Sequence, residues 1–251
     1  MERFAGKAAL LTGAASGMGR AIATRLALEG ADVLGVDIDE NGLDATVALI
    51  SDAGGSIRAH VGDISSVAAC REAVATCVDA YGGVDVLGNI AGISWQRHVA
   101  DVDEAAWDEI FAVNVKGSFF LCQAALPHLL AADGGNIVNI ASNTGLMGMA
   151  YTVPYGATKG AVVAMTKALA MEYAKAPIRI NAIAPGGTDT PLVHNFDMPG
   201  DVDLDLMRPG MGFRDMGTPE QIAALFAFVA SDEAGNVHGS ILSADSGLTA
   251  G

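Results

Sequence analysis

Basic side chains are scarce in this sequence: 14 Lys and Arg stand against 29 Asp and Glu, a formal net charge of -15. A chain that binds nucleic acid needs clustered cations to meet phosphates, so a nucleic-acid partner is not expected. An anionic membrane surface is disfavoured for the same reason. Cysteine is scarcer still, with Cys70, Cys77 and Cys122 as the full set of 3, too few for a secreted disulfide framework. Cys70 and Cys77 lie seven apart in a helical pattern and are expected as small buried side chains, without a metal. No run reaches the roughly 18 uninterrupted apolar residues of a membrane span. The first residues, Met1 to Lys7, lack the basic region and apolar run of a secretion signal. Cytoplasmic residence is the expectation that remains.

What is abundant is apolar character and glycine. Hydrophobic residues make up 51% of the 251 positions and 31 are Gly, so the chain can bury a large core. That length suits one domain spanning 1–251. Short apolar runs at 8–11, 32–37, 56–61, 84–90, 135–141, 178–184 and 240–244 read as strands. Helical patterns at 17–29, 41–52, 65–81, 103–130, 155–173 and 219–231 separate them. Strands that are apolar throughout and alternate with helices predict an α/β fold, a parallel sheet doubly wound by right-handed crossovers. The longest stretch without periodicity, about 186–218, follows the sixth strand at its carboxyl end. A long loop in that place is expected to be a substrate lid.

The first strand runs into Thr12-Gly13-Ala14-Ala15-Ser16-Gly17-Met18-Gly19, which opens the first helix. Gly13 suits the tight turn, Gly17 allows close approach of a pyrophosphate, and Gly19 lets the helix sit against the sheet. The free N–H groups at the helix start would meet the anionic oxygens. Asp37 ends the second strand, where a carboxylate accepts from ribose hydroxyls and repels a 2′-phosphate, pointing to NAD over NADP. The next residue, Ile38, brings no cation, and neither does Ala15. Asp63, before Ile64, has two readings: it accepts from an adenine amino group, or it caps the helix starting near Ser65.

Tyr155 and Lys159 stand four apart at a helix start, on one face. A phenol with a pKa of about 10 is a poor base near neutrality, and a nearby ammonium is expected to lower that value. Ser142 ends the fifth strand on the same side of the sheet, where its hydroxyl can donate to a substrate oxygen.

Taken together, the glycine turn, Asn89-Ile90-Ala91-Gly92, Asn114, Ser142, Tyr155, Lys159 and Pro185-Gly186 resemble the short-chain dehydrogenase/reductase family, in order and across essentially the whole chain. The resemblance implies a seven-stranded Rossmann-type sheet and hydride transfer between a nicotinamide cofactor and an alcohol or carbonyl. It implies that Tyr155 exchanges the substrate proton, Ser142 holds the oxygen, Lys159 binds the nicotinamide ribose, and Asn114 holds a water in a relay from Lys159. The cofactor is expected against Gly13, Ser16, Gly17, Met18, Gly19, Asp37, Ile38, Asp63, Ile64, Asn89, Ala91, Gly92, Tyr155, Lys159, Pro185, Gly186, Thr188 and Thr190. Thr188 replaces a branched aliphatic residue, so only its backbone role carries over. Ile90 stands where many members have a second Asn, and Ser246 where a second Gly is common. Family members commonly pair the helices at 103–130 and 155–173 between subunits, so a homotetramer, or else a homodimer, is expected.

On the substrate side the expectations are Ser94, Asn143, Met149 and Met207, with Trp95, Gln96 and His98 also able to border the pocket. Met147, Met149, Met198, Met207, Met211 and Met216 fall in two loops, suiting either an apolar or ring-bearing small-molecule substrate or simple lid packing. His98 and His194 read as surface or core residues. The lid also gathers Asp189, Asp197, Asp201, Asp203, Asp205 and Asp215 against Arg208 and Arg214. Those carboxylates either form a solvated face or turn anionic acyl carriers away. Three readings follow: an NAD-dependent secondary alcohol dehydrogenase, a 3-oxoacyl-carrier-protein reductase, and a catalytically idle nucleotide-sensing scaffold.

Overall fold

In the computed structural model, residues 2–194 and 198–250 are described. Seven strands form one parallel sheet in the order β3-β2-β1-β4-β5-β6-β7. They are β1 (Ala8–Thr12), β2 (Asp32–Asp37), β3 (Ser56–Val61), β4 (Val86–Asn89), β5 (Gly135–Ile140), β6 (Ile178–Pro185) and β7 (Ile241–Ala244). The central strands β1, β4 and β5 are buried along their whole length. Their residues are accordingly mostly apolar rather than alternating, with Thr12, Asn89, Asn136 and Asn139 as buried polar exceptions. The edge strand β3 is largely exposed instead, with Ser56, Arg58, Ala59 and Val61 open to solvent and Ile57 and His60 half-buried.

The pleat sends neighbouring residues to opposite faces. Ala9 and Leu11 pack with Ile22, Leu26 and Phe226 from α1 (Gly17–Leu28) and, further along the chain, the helix Pro219–Ala230. Ala8 and Leu10 pack on the other face with Val74 of the helix Val67–Tyr81 and Leu121 and Leu129 of Ser118–Ala131. In chain order the helices after α1 are α2 (Glu40–Asp52), α3 (Val67–Tyr81), α4 (Glu104–Phe111), α5 (Ser118–Ala131), α6 (Val153–Glu172), α7 (Pro191–His194), α8 (Leu204–Met207) and α9 (Pro219–Ala230). Cys70 and Cys77 share the buried face of α3, as their spacing predicts.

Four local expectations are corrected. The helix predicted over 103–130 is interrupted by a π-helical segment, Ala112–Gly117, between α4 and α5. Such segments accommodate one extra residue per turn and recur at functional sites. The α3 cap is Ser66, which accepts from the Ala69 N–H, and not Asp63, whose carboxylate takes the Ser65 N–H at 2.8 Å. The lid holds two short helices, α7 and α8, where no periodicity is visible. Finally α6 begins two residues before Tyr155, with Pro154 in its first turn, a position where the missing N–H has no helical partner to lose. The 104–131 stretch is apolar and long enough to cross a membrane by composition, but its Leu121, Cys122, Ala125 and Leu129 are buried in the sheet's helical layer.

Candidate active site

The strand order reverses between β1 and β4, and the chain leaves the sheet in opposite directions there, opening a crevice at the carboxyl ends. Its first part is a cleft of about 260 Å³ lined by Gly13, Gly17, Asp37, Asp63, Ala91 and Gly92 among others. Thr12 braces the floor: its hydroxyl accepts the Ile90 and Ala91 N–H groups, both at 3.0 Å, and donates to Gly88 O at 3.3 Å. Sequence reasoning assigned no role to Thr12.

The three glycines each meet a steric demand. Gly13 adopts a φ of +72°, and a Cβ there would stand 3.0 Å from the Ala91 Cα. A Cβ on Gly19 would lie 1.9 Å from Gly13 O, so α1 can start against the turn only with glycine. Gly17, at φ +49°, sits under Thr190, whose methyl would be 3.3 Å from an added Cβ. Side chains cap α2, α3, α4 and α9, yet Ser16 at the start of α1 makes no such bond. The first α1 N–H groups therefore stay available to an anion in the cleft. The turn's own carbonyls are already engaged, since Thr46 Oγ1 donates to Ala14 O at 2.9 Å and Arg20 reaches Ala15 O. Donors without acceptors in competition fit a pyrophosphate.

Asp37 lines this cleft at the end of β2. One carboxylate oxygen accepts the Ala15 N–H at 3.0 Å and the other the Asp39 N–H at 3.1 Å. Each oxygen keeps lone-pair capacity for a further donor. Ile38 beside it is 70% exposed and Asp63 and Ile64 form the neighbouring wall. The Asn89 side chain turns into the interior, donating to Asn139 Oδ1 at 2.8 Å, and Ile90, Ala91, Gly92 and Ile93 line the cleft after it.

The second part of the crevice is continuous with the first, since Met18, Ile90, Gly92, Thr190 and Leu192 line both. Here the structure brings Ser142, Tyr155 and Lys159 together with Pro185, Gly186 and Thr188. Lys159 is buried, and its Nζ donates to the Ile140 carbonyl at 2.8 Å. Burial lowers its pKa to about 8. Burial also raises the Tyr155 phenol above its ordinary value, with the Ser142 hydroxyl pulling the other way. The ammonium expected to lower that value stands with Lys159 Nζ 5.7 Å from the Tyr155 ring centroid. Ser142 Oγ donates to Asn143 Oδ1 at 3.1 Å and accepts the Thr144 N–H at 3.2 Å.

Asn114 projects from the π-helical segment and is fully buried. Its Oδ1 accepts the Ile93 N–H and its Nδ2 donates to Ile93 O, both at 2.9 Å, and to Thr158 Oγ1 at 3.1 Å. A Cβ on Gly92 would stand 3.1 Å from Asn114 Oδ1 and 3.5 Å from Lys159 Nζ. The glycine thus leaves one small space that both groups border.

The remaining expectations divide. Thr188 and Thr190 are buried, with their hydroxyls spent on Gly186 O and Thr188 O, both at 3.2 Å, so backbone contacts are what they offer. Met149 packs against the lid at Gly210, and Met207 is half-buried in α8. Ser94 is half-buried without lining the crevice. Trp95 and Gln96 are buried, and the Arg97 guanidinium covers the Trp95 ring at 4.8 Å. The lid carboxylates are mostly engaged locally: Asp189 with His194, Asp201 with His98, Asp205 with Arg208, while Asp203 caps α8. That weakens the reading of an anion-repelling lid. Asp197 lies outside the described residues.

Comparison with known proteins agrees with this geometry. Residues 7–199 match the family model described as short chain dehydrogenase. A 3-oxoacyl-[acyl-carrier-protein] reductase from Thermotoga maritima is 36% identical over 98% of this chain and 99% of its own. A 2,5-dichloro-2,5-cyclohexadiene-1,4-diol dehydrogenase from Sphingobium indicum is 39% identical over 100% of this chain and 99% of its own. Among solved structures, a short chain dehydrogenase from Mycobacterium paratuberculosis bound to NAD aligns with a TM-score of 0.91 at 29% identity, covering 99% of this chain and 100% of the other. One from Burkholderia cenocepacia in complex with NADP aligns with a TM-score of 0.88 at 34% identity, covering 98% and 99%. This chain belongs to the short-chain dehydrogenase/reductase family of oxidoreductases.

Proposed function

We propose that the protein is an NAD-dependent oxidoreductase that interconverts a secondary alcohol and a ketone on a small, largely apolar or cyclic substrate. The observation that carries the cofactor preference is Asp37, a carboxylate fixed by two backbone N–H groups at the wall of the nucleotide cleft. Ribose hydroxyls can donate to it, whereas a 2′-phosphate would meet its negative charge with no cation at Ile38 or Ala15 to compensate.

A nicotinamide cofactor bound in this crevice supplies the chemistry of accepting or giving a hydride. The chain's own residues do the rest. The α1 amino terminus and the glycine turn bind the pyrophosphate, and Lys159 is placed for the second ribose. In the oxidative direction the Tyr155 oxygen takes the alcohol proton, and in reduction it returns that proton to the carbonyl oxygen. The raised phenol value favours the protonated form near neutrality, which suits the acid role in ketone reduction. Ser142 rotates its hydroxyl from Asn143 to the substrate oxygen. Asn114 and Lys159 border the space at Gly92 through which a water can carry the proton away.

The substrate class draws on the methionine-bearing loops and on the cyclic diol that the Sphingobium relative is named for. A second reading, a 3-oxoacyl-carrier-protein reductase, is favoured by the Thermotoga relative, which matches along the whole chain. We further propose assembly through α4, α5 and α6, where Phe111, Val115, Phe119, Phe120 and Met165 form a shallow apolar groove and Phe119 is 42% exposed. A panel of secondary alcohols, ketones and one 3-oxoacyl thioester, run with each nicotinamide cofactor, tests the proposal. Turnover of a cyclic or secondary alcohol with NAD is expected. Turnover confined to the thioester with NADPH would favour the second reading, and none with any substrate would leave the scaffold.

A further inference from the structure

Tyr151 stands four residues before Tyr155, in the loop joining β5 to α6, and takes no part in the catalytic cluster. Its φ is 64°, in the left-handed region that a bulky L residue seldom enters. Such a conformation persists only where the surroundings over-determine it. Here three contacts hold it. The Tyr151 carbonyl accepts the Arg97 N–H at 2.9 Å. Its ring meets the His98 imidazole edge-on, with centroids 5.1 Å apart. Its phenol oxygen accepts the backbone N–H of Asp203, in the lid, at 2.9 Å. His98 then reaches the lid itself, with Nε2 2.9 Å from Asp201 Oδ1.

One residue therefore touches three segments: the loop after β4, its own loop, and the lid. Met149, two residues earlier, is a second seat, because a Cβ on Gly210 would stand 2.5 Å from the Met149 Cε. Thr152 Oγ1 donates to Met149 O at 3.0 Å and ties the two seats together. Among the described residues, segment 201–210 and its flank bury little apolar surface, since Leu204, Leu206, Met211 and Phe213 are all exposed. Segments with few buried apolar contacts open at low free-energy cost.

We propose that Tyr151 is a positioning residue that fastens lid segment 201–210 over the substrate side of the crevice, so that it governs substrate capture and not the chemical step. A ligand binds more weakly in proportion to the fraction of protein in the competent state. Loosening the fastener should therefore raise KM and leave kcat alone. The kinetic part rests on the proposed alcohol oxidoreductase activity; the lid part does not.

The test uses two variants of the full-length protein. Tyr151→Phe keeps the ring and removes the hydrogen-bond acceptor. Tyr151→Gly removes the side chain and relieves the backbone, so it is free of strain as a cause of misfolding. Hydrogen exchange at the Asp203 amide, without any substrate, is expected to speed up in Tyr151→Phe and further in Tyr151→Gly. The KM for the alcohol is expected to rise about 3–10-fold in Tyr151→Phe, the size of one neutral hydrogen bond. Both kcat and NAD affinity should stay within about twofold. Unchanged exchange in both variants would overturn the fastening. Faster exchange with unchanged KM, or a fall in kcat at constant KM, would overturn the role in capture. If the wild type turns over no alcohol, the functional reading fails while the exchange result still judges the fastener.

Discussion

The two halves of the crevice are built on different foundations. The nucleotide half is backbone and glycine, backed by β1 and β4, and bound into the sheet by the Thr12 hydroxyl and the Asp37 carboxylate. The Thr12 bonds to Gly88 and Ile90 are buried, and those of Asp37 to Ala15 and of Thr12 to Ala91 are partly so. The substrate half is bordered by Leu192 and Val193 of the short helix α7, and segment 201–210 beyond it exposes Leu204 and Leu206 and is tied to the loops after β4 and β5 through Tyr151, Met149 and His98. On the proposed reading the first half would hold the nicotinamide cofactor and the second would meet the substrate. Mutations should therefore act very differently on the two sides.

The largest expected effect falls on the chemistry between them. Tyr155→Phe removes the proton carrier and should lower kcat about 10²–10⁴-fold, while NAD binding, measured by titration, stays within about twofold. Turnover that survives would place the acid/base function elsewhere.

A matched pair of glycine substitutions sets rigidity against looseness. An alanine Cβ at Gly19 would lie 1.9 Å from the backbone oxygen of Gly13, whereas at Gly210 it would lie 2.5 Å from the flexible end of Met149. Gly19→Ala should lose about 3 kcal/mol or more in urea unfolding, at the upper end of overpacking costs, and Gly210→Ala less than about 1 kcal/mol. Equal costs would erase the contrast between the halves.

Lys159 predicts a pH dependence of stability. Its folded pKa is depressed by burial to about 8. A free lysine sits near 10.4, so between these values the unfolded chain holds more protons and stability rises with pH. Tyr155 has the opposite sign, because its raised value makes the unfolded phenol ionise first above about 10. The stability difference between wild type and Lys159→Met should thus shift toward wild type by about 2–3 kcal/mol from pH 7 to pH 10. A flat difference would mean that the ammonium is not desolvated.

The smallest effect is expected at the lid rim. The His98–Asp201 pair is solvent-exposed, with Asp201 at 81% side-chain exposure. Asp201→Asn should change the substrate KM by less than about twofold.

What the sequence revealed follows the same division. Strand-helix alternation and the glycine turn were legible because each glycine answers a steric demand that leaves its mark on the sequence. That Ser142, Tyr155 and Lys159 line one crevice, with Asn114 and Lys159 both beside Gly92, was legible through the family resemblance and spacing. The π-helical segment was not, since the apolar pattern runs unbroken through 103–130 and the distortion comes from Asn114 bonding to Ile93, a distant loop. Asp63 and Ser66 are both good cap residues three apart, and only coordinates separate them. The inward turn of the Asn89 side chain was not legible, because it depends on Asn139 of the neighbouring strand β5. The direction of the Tyr155 shift depends on burial outweighing the Ser142 hydroxyl, a balance invisible to spacing. Tyr151 went unnoticed because nothing in a tyrosine codes for a positive φ.

Asp37 is proposed to fix the nucleotide half for NAD. Titrating the purified protein with NADH and with NADPH, side by side, tests it most directly. NADH is expected to bind at least about tenfold more tightly, the size of one uncompensated charge contact. Equal affinity, or tighter binding of NADPH, would contradict the assignment.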